Sequence, residues 1–190
     1  MSYRLIIGLG NPGDRYRGTR HNIGFEILDR LAKRKGFSFR REDRGPVEAG
    51  QGEGVWWIKP LTYMNLSGEA VRLWLDWLKL DRSELLVVVD DINLPLGQLR
   101  LREGGSHGGH NGLRSIEESL GSTEYSRVRC GVGGQPDGKP LEAYVLERFL
   151  RAEAERVQSL VDQAADAVQC CQSEGIGVAM TRYNQKLREE

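Results

Sequence analysis

Excess charge of either sign is what this sequence lacks first. Its 27 lysines and arginines are matched by 27 aspartates and glutamates, so the formal net charge is zero. Proteins that coat nucleic acid by general attraction carry a basic excess, and the balance argues against that mode while leaving room for a local basic patch. Cysteine is also scarce. Cys170 and Cys171 are adjacent and Cys130 stands alone, which makes no CxxC pair and no disulfide framework. No apolar run approaches the roughly 18 residues that a membrane span needs. The opening "MSYRLII" enters a strand pattern without the layout of a secretory leader. These absences lead to the expectation of a cytoplasmic protein with no membrane contact. What is abundant is glycine, 24 residues, many of them in loops that follow strand-like runs.

A chain of 190 residues is long enough for one substantial core, and a single domain over 1–190 is expected, since no repeat, low-complexity tract or linker divides it. Apolar runs alternate with helical patterns. Tyr3–Gly8 reads as a buried strand and Ile23–Lys35 as a helix closed by Gly36, with Asn22 placed to cap its start. Strands follow at 54–60 and, most clearly, at 84–91, which is apolar on both faces as a central strand is. Between them Ser67 is placed to cap a helix carrying Val71, Trp74, Leu75 and Leu78 at i, i+3, i+4, i+7 spacing. An edge strand is expected at 97–103, a helix near Leu113–Leu120, a strand leaving into a loop at 126–134, and a helical segment from about 145 onward. The alternation specifies an α/β fold: a single-domain three-layer sandwich with a twisted, mostly parallel (mixed) central sheet flanked by helices. Ligands of such sheets gather beyond the carboxyl ends of the strands.

The first loop, "GLGNPGDRYRGTRHNIG", contains GxGxxG after a strand, the fingerprint of a dinucleotide site. The context does not fit. The last glycine of that fingerprint opens a helix whose free N–H groups hold a pyrophosphate. Here Pro12 contributes no N–H, and nine polar residues, "DRYRGTRHN", intervene before the helical period begins at Ile23. The loop instead brings Asn11, Tyr16, Arg20 and His21 to one place. The next strand ends deliver Met64 and Asn65 from "TYMNLSG", then Asp90 and Asp91, and the glycine loop adds His107, His110 and Asn111.

A hydrolytic site can be assembled from these pieces. His21 supplies a base, since imidazole titrates near pH 6.5 and a carboxylate partner raises it. Asp90 or Asp91 supplies the orienting carboxylate, and only one of the two can, because adjacent strand residues face opposite sides. Asparagine amides donate to a developing oxyanion without titrating. No serine or cysteine sits in a nucleophile elbow, so water is the nucleophile. Taken singly, each piece has an ordinary explanation: a capping histidine, turn-forming aspartates, a core methionine. The "HGGH" pair suggests a metal, but no third ligand makes it a compact set unless Asp90 or Asp91 joins. Arg100, Arg102, Arg127 and Arg129 alternate on two strands, each pair on one face, where Glu103 and Glu124 could balance them.

Four blocks, "GLGNPGDRYRGTRHNIG", "KPLTYMNLSG", "DDINLPLGQLRLREGGSHGGHNGLRSI" and "RVRCGVGGQP", resemble in order and spacing the signature of bacterial peptidyl-tRNA hydrolases, from Leu5 to about Phe149. The resemblance implies hydrolysis of the ester between a peptide and the 3′ ribose of tRNA, with no metal or organic cofactor, by a monomer. It implies His21 as catalytic base and Asp90 as its partner. Asn11 and Asn65 match amides that hold the peptide end and the water, and Met64 an apolar cleft wall. Asn111, beside His110, matches a lining position on the glycine loop, and Tyr16 a substrate-positioning tyrosine. Arg102 and Arg129 occupy positions that carry basic residues for tRNA phosphates. One segment departs: "GGQPDGKPLEAY", which resembles the family's flap, carries little positive charge beyond Lys139. A non-catalytic RNA-binding relative is the alternative, and retention of His21, Asp90, Asn11 and Asn65 argues against it. A dinucleotide-binding domain is the third reading, disfavoured by Pro12.

Overall fold

The computed structural model describes residues 3–184, so the outermost positions of the domain expected over 1–190 lie outside the described residues. Its strands are β1 (Leu5–Gly8), β2 (Arg40–Glu42), β3 (Val47–Gly52), β4 (Val55–Pro60), β5 (Leu85–Asp91), β6 (Leu99–Arg102) and β7 (Ser126–Gly131). They form one sheet in the order β2-β3-β4-β1-β5-β7-β6. The four central strands β4, β1, β5 and β7 run parallel, while β2 and β3 on one flank and β6 on the other are antiparallel to their neighbours. The sheet is therefore mixed, as expected. The β2–β3 hairpin is an addition: its sequence is charged and glycine-broken and carries no apolar alternation.

Side chains sort by the two-residue period of the strands. Ile6, Leu86, Val88, Val128 and Cys130 face one layer, built from α1 (Ile23–Lys35), α5 (Ala154–Ser173) and α6 (Ile176–Tyr183). Leu5, Ile7, Leu85, Val87 and Val89 face the other, built from α2 (Ser67–Leu78) and α3 (Asn111–Leu120). The short helix α4 (Leu141–Val145) stands inside the segment read as a loop, and α5 starts at Ala154 rather than near 145. Between them the chain turns at 146–147, runs extended through Arg148, which is bridged to Thr19, and makes a 3₁₀ turn at Arg151–Glu153. Two expected caps are absent. Asn22 makes no capping bond to α1, and Ser67 is the first residue of α2, with Leu66 in the cap position.

The first helix approaches the sheet unusually closely, and glycine is the reason. A Cβ on Gly24 would lie 2.6 Å from backbone atoms of both Leu9 and Val88, and one on Gly8 would lie 2.4 Å from the Gly24 carbonyl oxygen. Gly8 and Gly24 thus serve helix–strand contact, which brings the residues ahead of α1 down onto the ends of β1 and β5, whereas Gly13 and Gly18 in the loop itself take positive φ with open space around them. At the outer edge, Asn184 accepts from the Leu101 N–H at 2.6 Å and donates to the Leu101 carbonyl at 3.1 Å. The exposed side of β6 is so covered against further strand pairing.

Candidate active site

β5 ends in two buried aspartates, and the strand period separates them. Asp90 has the parity of Leu86 and Val88 and faces α1; Asp91 has the parity of Val87 and Val89 and faces α3. Asp90 therefore meets the 3₁₀ turn Arg20–Asn22 that leads into α1. His21 Nδ1 lies 2.9 Å from Asp90 Oδ1, with both side chains buried. Asp91 instead accepts from Arg129 Nε at 2.9 Å and from the Asn93 N–H at 2.9 Å.

A second histidine reaches the same oxygen. His110 Nε2 lies 2.9 Å from Asp90 Oδ1, and its ring centroid is 4.8 Å from that of His21. His110 also caps α3, its Nδ1 accepting from the Gly112 and Leu113 N–H groups at 3.1 and 3.3 Å. That assignment fixes the tautomer: Nδ1 is unprotonated, so Nε2 carries the proton and donates it to Asp90. His21, Asp90 and His110 bring one ligand atom each within 4.8 Å, which could be read as a cation site. The donor chemistry does not fit one. A metal would need the Nε2 lone pair, and the protonated Nδ1 then left behind would face two helix N–H donors.

The electrostatics follow from the shared oxygen. Burial of the His21 ring works against its charge, but the Asp90 carboxylate, through charge and hydrogen bond, outweighs this and raises its pKa above the ordinary histidine value. Burial would push Asp90 up; the two imidazoles overcome it and hold the carboxyl well below the usual range. Asp90 therefore stays ionised. With Nδ1 committed to Asp90, His21 Nε2 is left as the nitrogen able to take a proton.

His21 lines a cleft of about 420 Å³ together with Asp90, Asp91, His110, Asn111 and Arg129. The glycine loop, through His107 to Gly109, and the flap, through Pro140, Leu141, Glu142 and Val145, form its other walls. Asn11 and Met64, both buried, are not among the residues that line it. Asn11 Oδ1 accepts from the Met64 N–H at 2.9 Å, which assigns the amide and leaves Nδ2 without a protein acceptor among the described residues. Met64 is buried, and its sulfur would lie 2.6 Å from a Cβ on Gly112, next to the His110 ring. Asn65 follows it, exposed.

Tyr16 is placed apart from this cleft lining. Its ring packs under the Arg15 guanidinium at 4.5 Å, on the turn Asp14–Tyr16. The two arginines expected at the tRNA surface differ in state. Arg102 is exposed, whereas Arg129 is half-buried and tied to Asp91. Arg127, on the same face, is buried; it donates to the carbonyls of Ser106 and Thr123 and pairs with Glu117 at 3.7 Å. Glu103 and Glu124 are not the partners of these arginines. Lys139, the flap's cation, is paired with Glu147 at 2.7 Å.

Two roles went unread in the sequence. Asn22, expected as a cap, braces the first loop by accepting from the Asn11 N–H and donating to the Asn11 carbonyl, both at 2.9 Å. His110, expected on the substrate side of the glycine loop, also bonds Asp90. Neither role has a local signature, because the Asn22–Asn11 and His110–Asp90 bonds span 11 and 20 residues.

Comparison with known proteins agrees with this geometry. The peptidyl-tRNA hydrolase family model matches residues 5–190. The peptidyl-tRNA hydrolase of Synechococcus sp. (strain JA-2-3B'a(2-13)) is 47% identical over 188 residues, covering 97% of this chain and 84% of that protein. That of Chloroflexus aggregans is 48% identical over 184 residues, covering 95% and 98%. Among solved structures, the peptidyl-tRNA hydrolase from Acinetobacter baumannii has a TM-score of 0.90 at 32% identity, over 97% of this chain and 95% of that one.

Proposed function

The chain belongs to the peptidyl-tRNA hydrolase family, and from that premise we infer that it hydrolyses the ester joining a peptide to the 3′ ribose of tRNA, releasing both for reuse. The observation that carries the mechanism is the His21 Nδ1–Asp90 hydrogen bond, which leaves Nε2 as base on a residue lining the cleft. In this reading His21 takes a proton from water as the water oxygen attacks the ester carbonyl. Asp90, held ionised, stabilises the imidazolium that results. The tetrahedral oxyanion accepts from an asparagine amide, a role that Asn111 can fill from the cleft lining, while Asn11 and Asn65 hold the peptide end and the water. Collapse breaks the bond to the ribose 3′ oxygen, and the proton on His21 passes to that oxygen. Water is consumed, a peptide acid and a free ribose hydroxyl are formed, and the base is regenerated. The catalysis is assigned to organic groups alone, on the donor argument given for His110.

The remaining assignments complete the reading. Met64 supplies an apolar surface beside His110, and Tyr16, on the turn ahead of His21, positions substrate at the outer rim. Arg102 and Arg129 grip tRNA phosphates, which fixes register without reading sequence. The enzyme acts as a cytoplasmic monomer; among the described residues no helix is long and apolar enough to cross a membrane.

Single-turnover release of an N-acetylated aminoacyl group from bulk tRNA, with and without EDTA, tests this. Fast hydrolysis unaffected by EDTA supports the water–histidine reading. Bound but uncleaved tRNA would make the chain a binding relative instead, and EDTA-sensitive cleavage would overturn the metal-free assignment.

A further inference from the structure

The residue next to the base is a buried arginine whose side chain, among the described residues, hydrogen-bonds neither Asp90 nor a residue lining the cleft. Arg20 is 4% exposed. Its Nη2 donates to both carboxylate oxygens of Glu153, at 3.0 and 2.8 Å, and its Nη1 donates to the Arg148 carbonyl at 2.8 Å. The guanidinium lies over the Tyr144 ring at 4.5 Å and the Phe149 ring at 4.8 Å. Its backbone N–H donates to the Glu147 carbonyl at 3.0 Å. Every partner comes from the segment 144–153, far along the chain.

That segment begins inside α4, which forms one wall of the cleft. Tyr144 is the fourth residue of α4, whose Leu141, Glu142 and Val145 line the cleft, and its hydroxyl donates to the Val132 carbonyl at the end of β7. A planar fork packed against two rings and bonded through its two terminal nitrogens to a carboxylate and a carbonyl cannot rotate without losing these contacts, even though its buried Nε has no partner among the described residues. His21 is joined to this fork through one peptide bond, inside a 3₁₀ turn. The turn is thus held from two sides: Asp90 at the end of β5 and the flap segment behind Arg20.

We propose that Arg20 is a positioning residue for hydrolysis, bolting the turn that carries His21 to α4 and the extended chain behind it, so that the base and the α4 wall of the cleft keep a fixed separation. The proposal rests on the reading of His21 as base. It explains why a charged side chain is kept at a buried position, where an apolar residue would pack at lower desolvation cost. It also gives the flap a role that needs no positive charge of its own: α4 acts through Tyr144 on the base, while Lys139 is engaged by Glu147.

The test uses three proteins and two readouts. Arg20→Ala and the shape-preserving Glu153→Gln are compared with wild type for single-turnover and steady-state hydrolysis of N-acetylated aminoacyl-tRNA. The second readout is the imidazole Nδ1–H proton resonance of His21, followed by NMR without substrate. Arg20→Ala is expected to lower kcat by at least about tenfold, within the roughly hundredfold that a misplaced catalytic group costs. KM should stay within about twofold, since the phosphate grip assigned above lies elsewhere. Added guanidinium, but not sodium chloride at equal ionic strength, should restore part of kcat by refilling the slot between Tyr144 and Phe149. The Nδ1–H resonance should broaden in the variant and sharpen on rescue. Glu153→Gln should show the same split to a smaller degree, and it decides the matter if Arg20→Ala does not fold. An unchanged kcat in a folded variant overturns the proposal. So does a loss carried by KM, or a kcat loss with no rescue and an unaltered His21 resonance, which would make Arg20 a stability residue only. If wild type itself fails to hydrolyse the ester, the functional reading falls while the resonance still reports whether Arg20 holds His21.

Discussion

At the scale of the residue, Asp90 ties activity and stability to opposite protonation states of His21. Catalysis needs the neutral imidazole, and the imidazole pKa is raised, so kcat/KM should fall as pH drops through a value above the ordinary histidine pKa of about 6.5. Asp90→Asn should move that acid limb down, past the ordinary histidine value, because burial then acts on the imidazole unopposed, and should slow turnover, since the amide cannot stabilise an imidazolium as a carboxylate does. An acid limb unchanged in the variant would contradict the pairing. His21→Ala should cost at least about a hundredfold in single-turnover rate, the usual loss on removing a general base, with tRNA binding little altered. Stability runs the other way. A raised folded pKa means that His21 contributes fully below its unfolded value and loses that contribution as pH rises through the folded one. Asp90, lowered on folding, contributes above the unfolded carboxyl pKa of about 4 and loses its share in acid. Their joint contribution is therefore largest between about pH 4 and pH 6.5, where the base is protonated and idle. The melting-temperature advantage of wild type over Asp90→Asn should shrink between about pH 6 and pH 9; a gap constant across that range would remove the coupling.

At the scale of the element, glycines that look alike in the sequence do opposite work. Gly24 sits where a Cβ would meet backbone atoms of Leu9 and Val88 at 2.6 Å, and backbone cannot rotate aside. Gly24→Ala should destabilise toward the upper end of the about 1–3 kcal/mol typical of overpacking, or beyond it. Gly177, inside α6, has no atom near its Cβ position and no left-handed backbone requirement. Gly177→Ala should stabilise by about 0.4–1 kcal/mol, chiefly by restricting the unfolded chain. Denaturant unfolding of the two variants checks both signs, and destabilisation by Gly177→Ala would show that α6 is held by contacts the helix cannot keep with a side chain there. The same elements show how far the sequence could be read. The central strands and α1 were legible because apolar periodicity is a local signal: α1 runs over Ile23–Lys35 as the period predicts. The β2–β3 hairpin was not, since Arg40, Arg41 and Glu42 form an edge strand held by pairing to β3, which β4 in turn holds, and not by a pattern of their own. Asn22 has the chemistry of a cap and is used instead to hold Asn11, a competition between local and distant partners that residue type alone does not settle. The split between Asp90 and Asp91 was half legible. Period two says that they part; which one meets His21 depends on the layer that α1 occupies, and the resemblance supplied it.

At the scale of the whole molecule, a chain with no net charge must hold a polyanion locally. The register of β6 on β7 places Arg100 opposite Arg129 and Arg102 opposite Arg127, so all four share one face of the sheet, with Arg129 in the cleft lining. They are not equivalent. Arg127 is committed to Glu117 and two carbonyls, and Arg129 to Asp91, whereas among the described residues Arg100 and Arg102 meet no carboxylate. The free cations therefore sit on the outer strand, β6, and the two tied ones on β7, with Arg129 at the cleft. A phosphate contact made by an unpaired arginine releases about one counterion, so log Kobs falls with log salt by a slope of roughly one per contact. Arg102→Ala should make that slope shallower by about one and raise KM with kcat nearly unchanged, because the contact is equal in ground and transition states. Arg129→Ala should change the slope less than Arg102→Ala does, since Asp91 already neutralises the guanidinium that phosphate would meet. Measuring tRNA affinity from about 50 to 200 mM salt for the three proteins decides it. Equal slopes for wild type and Arg102→Ala would remove the phosphate grip from this face. A larger effect at Arg129 would mean that tRNA displaces Asp91 from it, so that binding rearranges the carboxylate adjacent to the one holding the base.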